Sequence, residues 1–333
     1  MMDMQAITQQ EGSAKVLAVA PMMAWTDRHC RRLHRLFSPN ALLFTEMVTT
    51  GALVQGNQWH QLDHSQAEHP LALQLGGSEP DALAVCAERA EARGFAEINL
   101  NVGCPSERVQ NGAFGACLMR EPELVAACIA AMRDACGIPV TVKCRLGVDE
   151  LDNDTHLAHF VETVADAGCG RFYLHARKAI LKGLSPAQNR SIPPLQYDRV
   201  ERLKRRLPNL EIIVNGGIDT LEQADDLLRW ADGVMIGRAA YHHPTFLGAL
   251  DAHLHGGTAP TVEDALLDYR GYIAEQLSRG VRLHSMTRHL LSVCHGLAGA
   301  RRYRQTLSNQ RRLKLNDIAL YDEAVGYVFA RAA

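Results

Sequence analysis

The chain has 333 residues, 47% hydrophobic and 22% charged, which supports an ordinary packed core in one large domain with a smaller companion. No apolar run approaches bilayer length, which excludes a helical membrane span. The formal net charge of −2 excludes a uniformly basic protein, so a polyanionic partner has to be met by a local patch.

Residues 1–15 read as a flexible N-terminal tail. Its first twelve residues are polar and lack the apolar core of a secretory signal. The nine cysteines are an odd number, and Cys86, Cys128 and Cys136 sit inside apolar patterns. Both features point to reduced thiols in the cytoplasm. No Cys/His cluster has zinc-ligand spacing, so no metal is expected; His156 with His159, and His284 with His289, read as surface or core residues.

Eight short apolar runs follow in order, at 16–22, 41–48, 71–76, 96–101, 139–146, 171–176, 211–215 and 233–237. Near-continuous apolar runs suit strands buried on both faces, as in a parallel sheet. Helical periodicity fills most of the intervals: 81–92 after Ser78-Glu79-Pro80, 122–135 with proline in its first turn, then 154–167, 197–207 and 221–230. The interval between the second and third runs is longer and less regular. This alternation predicts an α/β fold, a (β/α)8 TIM barrel over residues 16–243. A doubly wound sheet is the structural competitor, but no G-x-G-x-x-G follows the first strand. From Pro244 onward the strand-like runs stop. Segments 262–277, 283–300 and 318–332 read as helices, giving a small all-helical C-terminal domain at 244–333.

Barrel active sites lie at the C-terminal ends of the strands. Those ends carry Pro21-Met22-Met23, Gln74, then Asn99, Asn101 and Cys104, then Lys143 and Arg145, His175 and Arg177, Asn215-Gly216-Gly217, and Gly237-Arg238. Glycines after strands seven and eight stand where barrels bind phosphate, since their backbone N–H groups can approach an anion closely. Arg238 adds a charged fork. Together they point to a phosphate-bearing cofactor. Lys143 interrupts the apolar Pro139-Val140-Thr141-Val142, where an inward ammonium could neutralise a reduced flavin ring; a lysine snorkelling to the rim is the alternative. Gln74 can hydrogen-bond the amide edge of such a ring, and Met22 and Met23 can pack on its face. His175 suits a phosphate or ring contact, with a satisfied core histidine as the alternative.

Across nearly the whole chain these residues resemble the tRNA-dihydrouridine synthases, subfamily A. The matching stretches are Pro21-Met22-Met23 with Trp25-Thr26-Asp27-Arg28-His29-Cys30-Arg31, and Asn99-Leu100-Asn101-Val102-Gly103-Cys104-Pro105-Ser106. Val142-Lys143-Cys144-Arg145, His175-Ala176-Arg177-Lys178, Leu181-Lys182-Gly183-Leu184-Ser185-Pro186, Asn215-Gly216-Gly217-Ile218 and Met235-Ile236-Gly237-Arg238-Ala239 follow in the same order. The resemblance implies a barrel holding FMN, reduced by NADPH, and a helical domain that helps bind tRNA. It implies reduction of the C5–C6 bond of D-loop uridines at tRNA positions 20 and 20a. Carried over by motif, FMN contacts are Pro21, Met22, Met23, Gln74, Lys143, His175, Asn215, Gly216, Gly217, Gly237 and Arg238. Cys104 is the implied proton donor and Asn101 a contact to the substrate nucleotide. The sequence departs from the pattern at Ile180, Ala113 and Ala187, which bears on the RNA footprint of the loops after strands four and six.

The chemistry suits these roles. Hydride delivered from flavin N5 to C6 of uracil leaves negative charge on C5 and O4, and an acid must protonate C5. A thiol with an ordinary pKa of about 8.5 is mostly protonated at neutral pH and can donate. A proton donor should not be strongly activated to thiolate, so no pronounced electropositive pocket is expected at the sulfur. The base must leave its stack to reach a barrel mouth, and a loop base does so at low cost.

Residues 281–314 contain no Asp or Glu but carry Arg282, Arg288, Arg301, Arg302, Arg304, Arg311, Arg312 and Lys314, with Tyr303 interleaved. Such a run suits phosphate neutralisation. Arg301 and Arg304, one helical turn apart, share a face, and Lys182 and Arg190 extend the track. Two rivals stay open: an FMN barrel that reduces a small molecule, and a tRNA-binding protein in which flavin turnover is secondary. A monomer is expected.

Overall fold

In the computed structural model, which describes residues 15–329, the eight apolar runs form eight strands. They are β1 (Val16–Val19), β2 (Leu43–Thr49), β3 (Leu71–Gly76), β4 (Glu97–Val102), β5 (Val140–Cys144), β6 (Arg171–His175), β7 (Glu211–Asn215) and β8 (Gly233–Ile236). The expected tail, apart from Lys15, lies outside the described residues, as do residues 330–333. Every strand pair is parallel, and the ladder runs β1-β8-β7-β6-β5-β4-β3-β2. A parallel bridge between Ala18 and Leu42 joins its two ends, with Val19 N–H donating to Leu42 O at 3.0 Å and Leu42 N–H to Leu17 O at 2.9 Å. The result is the expected barrel.

The crossover helices start where their sequences supply caps. Pro80–Ala92 and Pro122–Ala135 each begin with proline, whose missing N–H would be unpaired there anyway. Asn153 caps Asp154–Asp166 and Thr220 caps Leu221–Leu228, each accepting a first-turn N–H. Their apolar faces cover the outward side chains of the strands, among them Leu73, Ile98, Leu100, Val142, Leu174 and Val214, all fully buried. Each such side chain contributes about 1.5–3 kcal/mol.

Besides short helical turns at Thr50–Leu53, Glu107–Asn111, Arg238–His242 and Gln310–Leu313, two helices of ten or more residues were not expected from the sequence. Arg28–Phe37 follows β1, capped by Asp27, and Pro244–His255 follows β8 and sets Leu247 and Leu250 into the barrel core. A second core gathers around Tyr269, Ile273, Met286, Tyr303 and Tyr321 and takes Leu33 and Phe37 from Arg28–Phe37. Val262–Ser278 forms as expected. The expected helix at 283–300 does not: it ends at Thr287, and a new one runs Ala300–Leu307. Turns and bends fill 288–299, where Gly296 and Gly299 take positive φ of 84° and 83°, while Leu290, Val293 and Cys294 stay buried and mimic helical spacing. Among the described residues the last helix is Ala319–Gly326, with turns over 327–329; the remainder of the expected 318–332 helix lies outside the described residues.

Candidate active site

The helical unit is fastened to the mouth of the barrel, beside β1 and β8. The Asp27 carboxylate accepts the His29 and Cys30 N–H groups at the start of Arg28–Phe37, and it pairs with Arg288 at 2.6 Å and lies 3.0 Å from His289. Burial alone would raise its pKa; His289, the Cys30 N–H and Arg288 outweigh burial and hold it well below the usual carboxylate range. Tyr241, after β8, stacks on Trp25 with ring centroids 4.3 Å apart, and its hydroxyl meets His289 Nδ1 at 3.2 Å.

The strand ends converge as expected. Side chains alternate across a strand, so Glu97, Asn99 and Asn101 of β4 all point inward. Asn101 Nδ2 donates to Gln74 Oε1 at 2.8 Å, and its Oδ1 accepts the N–H groups of Gly103 at 3.1 Å and Cys104 at 2.9 Å. The Cys104 loop therefore hangs from an amide that is also bonded to Gln74. The Cys104 side chain is partly exposed, with Sγ 3.4 Å from Ser106 Oγ.

Lys143 donates from Nζ to Asn215 Oδ1 at 3.0 Å, and Asn215 Nδ2 donates to Met235 O, which ties β5, β7 and β8 together. Burial, aided by the Arg145 charge, pushes the Lys143 ammonium down to about 8. His175 is pushed well below its ordinary range by burial first and then by Arg145, Lys143, Arg177 and Arg190, so it is neutral at pH 7. Next to it stand Gly216 and Gly217, at φ of 115° and 71°. A Cβ at Gly216 would lie 2.7 Å from His175 Cδ2, so only glycine leaves the ring its place. Met22 and Gly237 face each other across the β1–β8 seam, while Met23 is 59% exposed.

Two arginines read as candidate chemistry have structural employment. Arg145 donates Nε to Gly103 O at 2.9 Å, and one terminal nitrogen to Asn189 O at 3.0 Å and Lys178 O at 3.1 Å. It clamps the Cys104 loop to the loop after β6. Arg177 likewise holds the carbonyls of Ser191 and Pro193. Among the described residues, no ion pair engages Lys143, Arg145, Arg177, Arg190 or Arg238. With Arg145 and Arg177 bonded to loop carbonyls, Lys143, Arg190 and Arg238 are the rim cations left to meet an anion. That charge, the two positive-φ glycines and the Gln74 amide fit the phosphate and the ring edge of FMN.

The basic segment is divided in its duties. Arg288 is committed to Asp27 and Arg312 to Glu323, and Arg302 lies over the Tyr327 ring at 5.6 Å. Tyr303 is not on the basic face; it is fully buried, donating to Leu290 O. Arg301 and Arg304 are exposed on one face of Ala300–Leu307, and Lys182 and Arg190 are exposed beside the barrel mouth.

A family model described as Dihydrouridine synthase (Dus) matches residues 18–325. A protein of Pseudomonas syringae pv. tomato named tRNA-dihydrouridine(20/20a) synthase is 54% identical over 319 residues, covering 95% of this chain and 95% of that one. Proteins of the same name from Yersinia pestis and Shewanella oneidensis are 53% and 54% identical, covering 93% and 91% of this chain and 91% and 90% of their own.

Proposed function

The chain belongs to the dihydrouridine synthase family, within the tRNA-dihydrouridine(20/20a) synthase subfamily, and from that premise we propose a flavin-dependent oxidoreductase that reduces D-loop uridines 20 and 20a of tRNA to 5,6-dihydrouridine. Bound FMN, reduced by NADPH, supplies the hydride received at uracil C6. Gly216, Gly217, Gly237 and Arg238 hold its phosphate, with Pro21, Met22, Met23, Gln74, Lys143, His175 and Asn215 around its ring and side chain. Cys104 gives its proton to C5, leaving its sulfur as thiolate. Asn101 orients the target base.

The observation that carries this reading is the shared Asn101 amide. One hydrogen-bonded unit holds both the Cys104 loop and Gln74, so proton donor and ring contact keep one spacing. Residues 244–333 serve tRNA through Arg301 and Arg304, and the loop after β6 contributes Lys182 and Arg190. Pro244–His255 is the seam between this unit and the barrel of residues 16–243. Nine free thiols suit the reducing cytoplasm. Among the described residues no helix is long and apolar enough to cross a membrane, and no cluster of His, Cys, Asp and Glu could hold a metal.

The test is to incubate unmodified tRNA with the protein, FMN and NADPH and map dihydrouridine by mass spectrometry. The expected products lie at positions 20 and 20a. Reduction of free uridine as fast as tRNA would favour the small-molecule rival, and tRNA binding without turnover would favour the binding-protein rival.

A further inference from the structure

Barrel interiors are usually filled by branched apolar side chains. Here β4 sends Glu97, Asn99 and Asn101 inward, at 2%, 0% and 8% exposure, and buried polar groups in such number call for a reason. They form a continuous chain with residues of the neighbouring strands. At the barrel floor Arg171 donates to Glu97 Oε2 at 2.8 Å and the Tyr173 hydroxyl to the same oxygen at 3.1 Å. Thr141 Oγ1 donates to Glu97 Oε1 at 2.7 Å. Asn99 Nδ2 donates to Thr141 Oγ1 at 2.9 Å, and Gln74 Nε2 to Asn99 Oδ1 at 2.8 Å. Asn101 Nδ2 donates to Gln74 Oε1, and the N–H groups of Gly103 and Cys104 donate to Asn101 Oδ1.

Every link points the same way. The single Thr141 proton has the carboxylate at 2.7 Å and the Ile98 carbonyl at 3.3 Å as acceptors, and with either its oxygen is left to accept from Asn99. That choice turns the Asn99 carbonyl toward Gln74 and the Gln74 carbonyl toward Asn101. The upper end dictates the same result independently, because backbone N–H groups can only donate to Asn101 Oδ1. Side-chain amides are ordinarily free to flip by 180°. A carboxylate below and two N–H groups above leave these three amides one orientation each.

We propose that Glu97, Thr141 and Asn99 are positioning residues: their one-directional relay, anchored by Arg171, locks the amides of Gln74 and Asn101 into the orientation that the flavin edge and the target base meet. The proposal rests on the flavin reading above. Glu97 and Thr141 touch neither cofactor nor substrate. They act through Asn99, at the cost of burying a carboxylate that burial pushes toward protonation and Arg171 opposes.

The relay is cut by Thr141→Val, which removes the hydroxyl and keeps the volume, and is kept by Thr141→Ser. FMN is titrated into each cofactor-free protein, and the dissociation constant and visible absorption of the bound flavin are read. Thr141→Val should bind FMN about tenfold more weakly, the scale of one hydrogen bond, with a shifted flavin band, and Thr141→Ser should match the parent. A folded Thr141→Val with the parent's affinity and spectrum overturns the relay and leaves the flavin reading standing, since a merely structural hydroxyl would change thermal stability alone. A parent protein that binds no FMN overturns the flavin reading and the relay's role with it. Should Thr141→Val not fold, NMR of the parent decides: slowly exchanging side-chain amide protons on Gln74, Asn99 and Asn101 support the relay, and rapid exchange overturns it.

Discussion

Arg145→Lys separates the charge of Arg145 from its hydrogen-bonding fork. The guanidinium serves three backbone carbonyls, on Gly103, Lys178 and Asn189, at 2.9–3.1 Å, and is 3% exposed. Lysine retains the charge but has no planar fork and reaches at most one of these oxygens. Each charge-assisted bond contributes about 1.5–3 kcal/mol, so losing two costs about 3–6 kcal/mol before water refills the gap. The loops lie at the rim, where water enters, leaving roughly 3 kcal/mol. At about 1.4 kcal/mol per tenfold, the Cys104 loop should be seated roughly a hundredfold less often. The expected loss in kcat/KM on tRNA is ten- to a hundredfold, with FMN affinity changed less than about threefold because the phosphate glycines sit on other strands. Stopped-flow separation of flavin reduction by NADPH from flavin reoxidation by tRNA should place the loss in the second step. Wild-type reoxidation in Arg145→Lys would refute the clamp, and an equal loss in both steps would show that Arg145 serves the flavin instead.

Further outcomes follow from the same geometry. Lys143, depressed to about 8 from 10.5, carries a stability deficit that is fully present below its folded value and vanishes as the pH rises through the ordinary lysine value. Lys143→Met should therefore raise the melting temperature of the cofactor-free protein at pH 7 while weakening FMN at least about tenfold; a lowered melting temperature would show that the charge is not strained. Gly216→Ala forces a Cβ to within 2.7 Å of His175 at a φ of 115°, so gel filtration should return a folded, colourless protein, and a yellow one would remove Gly216 from the cofactor site. Arg301→Ala and Arg304→Ala should each lower the slope of log tRNA affinity against log salt by about 0.7–0.9; unchanged slopes would take them out of the interface.

The strands were legible because buried parallel strands are near-continuous runs of Val, Ile and Leu, and each expected run overlaps the strand observed. The meeting of Gln74, Asn101, Cys104, Lys143, His175 and Asn215 was legible because a barrel brings its strand ends together. Partnership was not legible. Arg145 and Arg177 look like catalytic cations in one dimension, and only the fold reveals that their donors are taken by loop carbonyls. Tyr303 looks interleaved with arginines, yet its own helix turns it into the core. Two signals were present and unread. Pro244 with Gly256 brackets a helix by the usual proline-first, glycine-last asymmetry. Glu97, Asn99 and Asn101 alternate along a buried strand, which marks a polar interior.

Cys104 is the proposed acid at C5. Cys104→Ala is to be incubated with FMN, NADPH and unmodified tRNA, and both flavin reduction and dihydrouridine at positions 20 and 20a measured beside the parent. The prediction is a yellow variant whose flavin NADPH still reduces and which forms no dihydrouridine. Dihydrouridine formed at the parent's rate would contradict it.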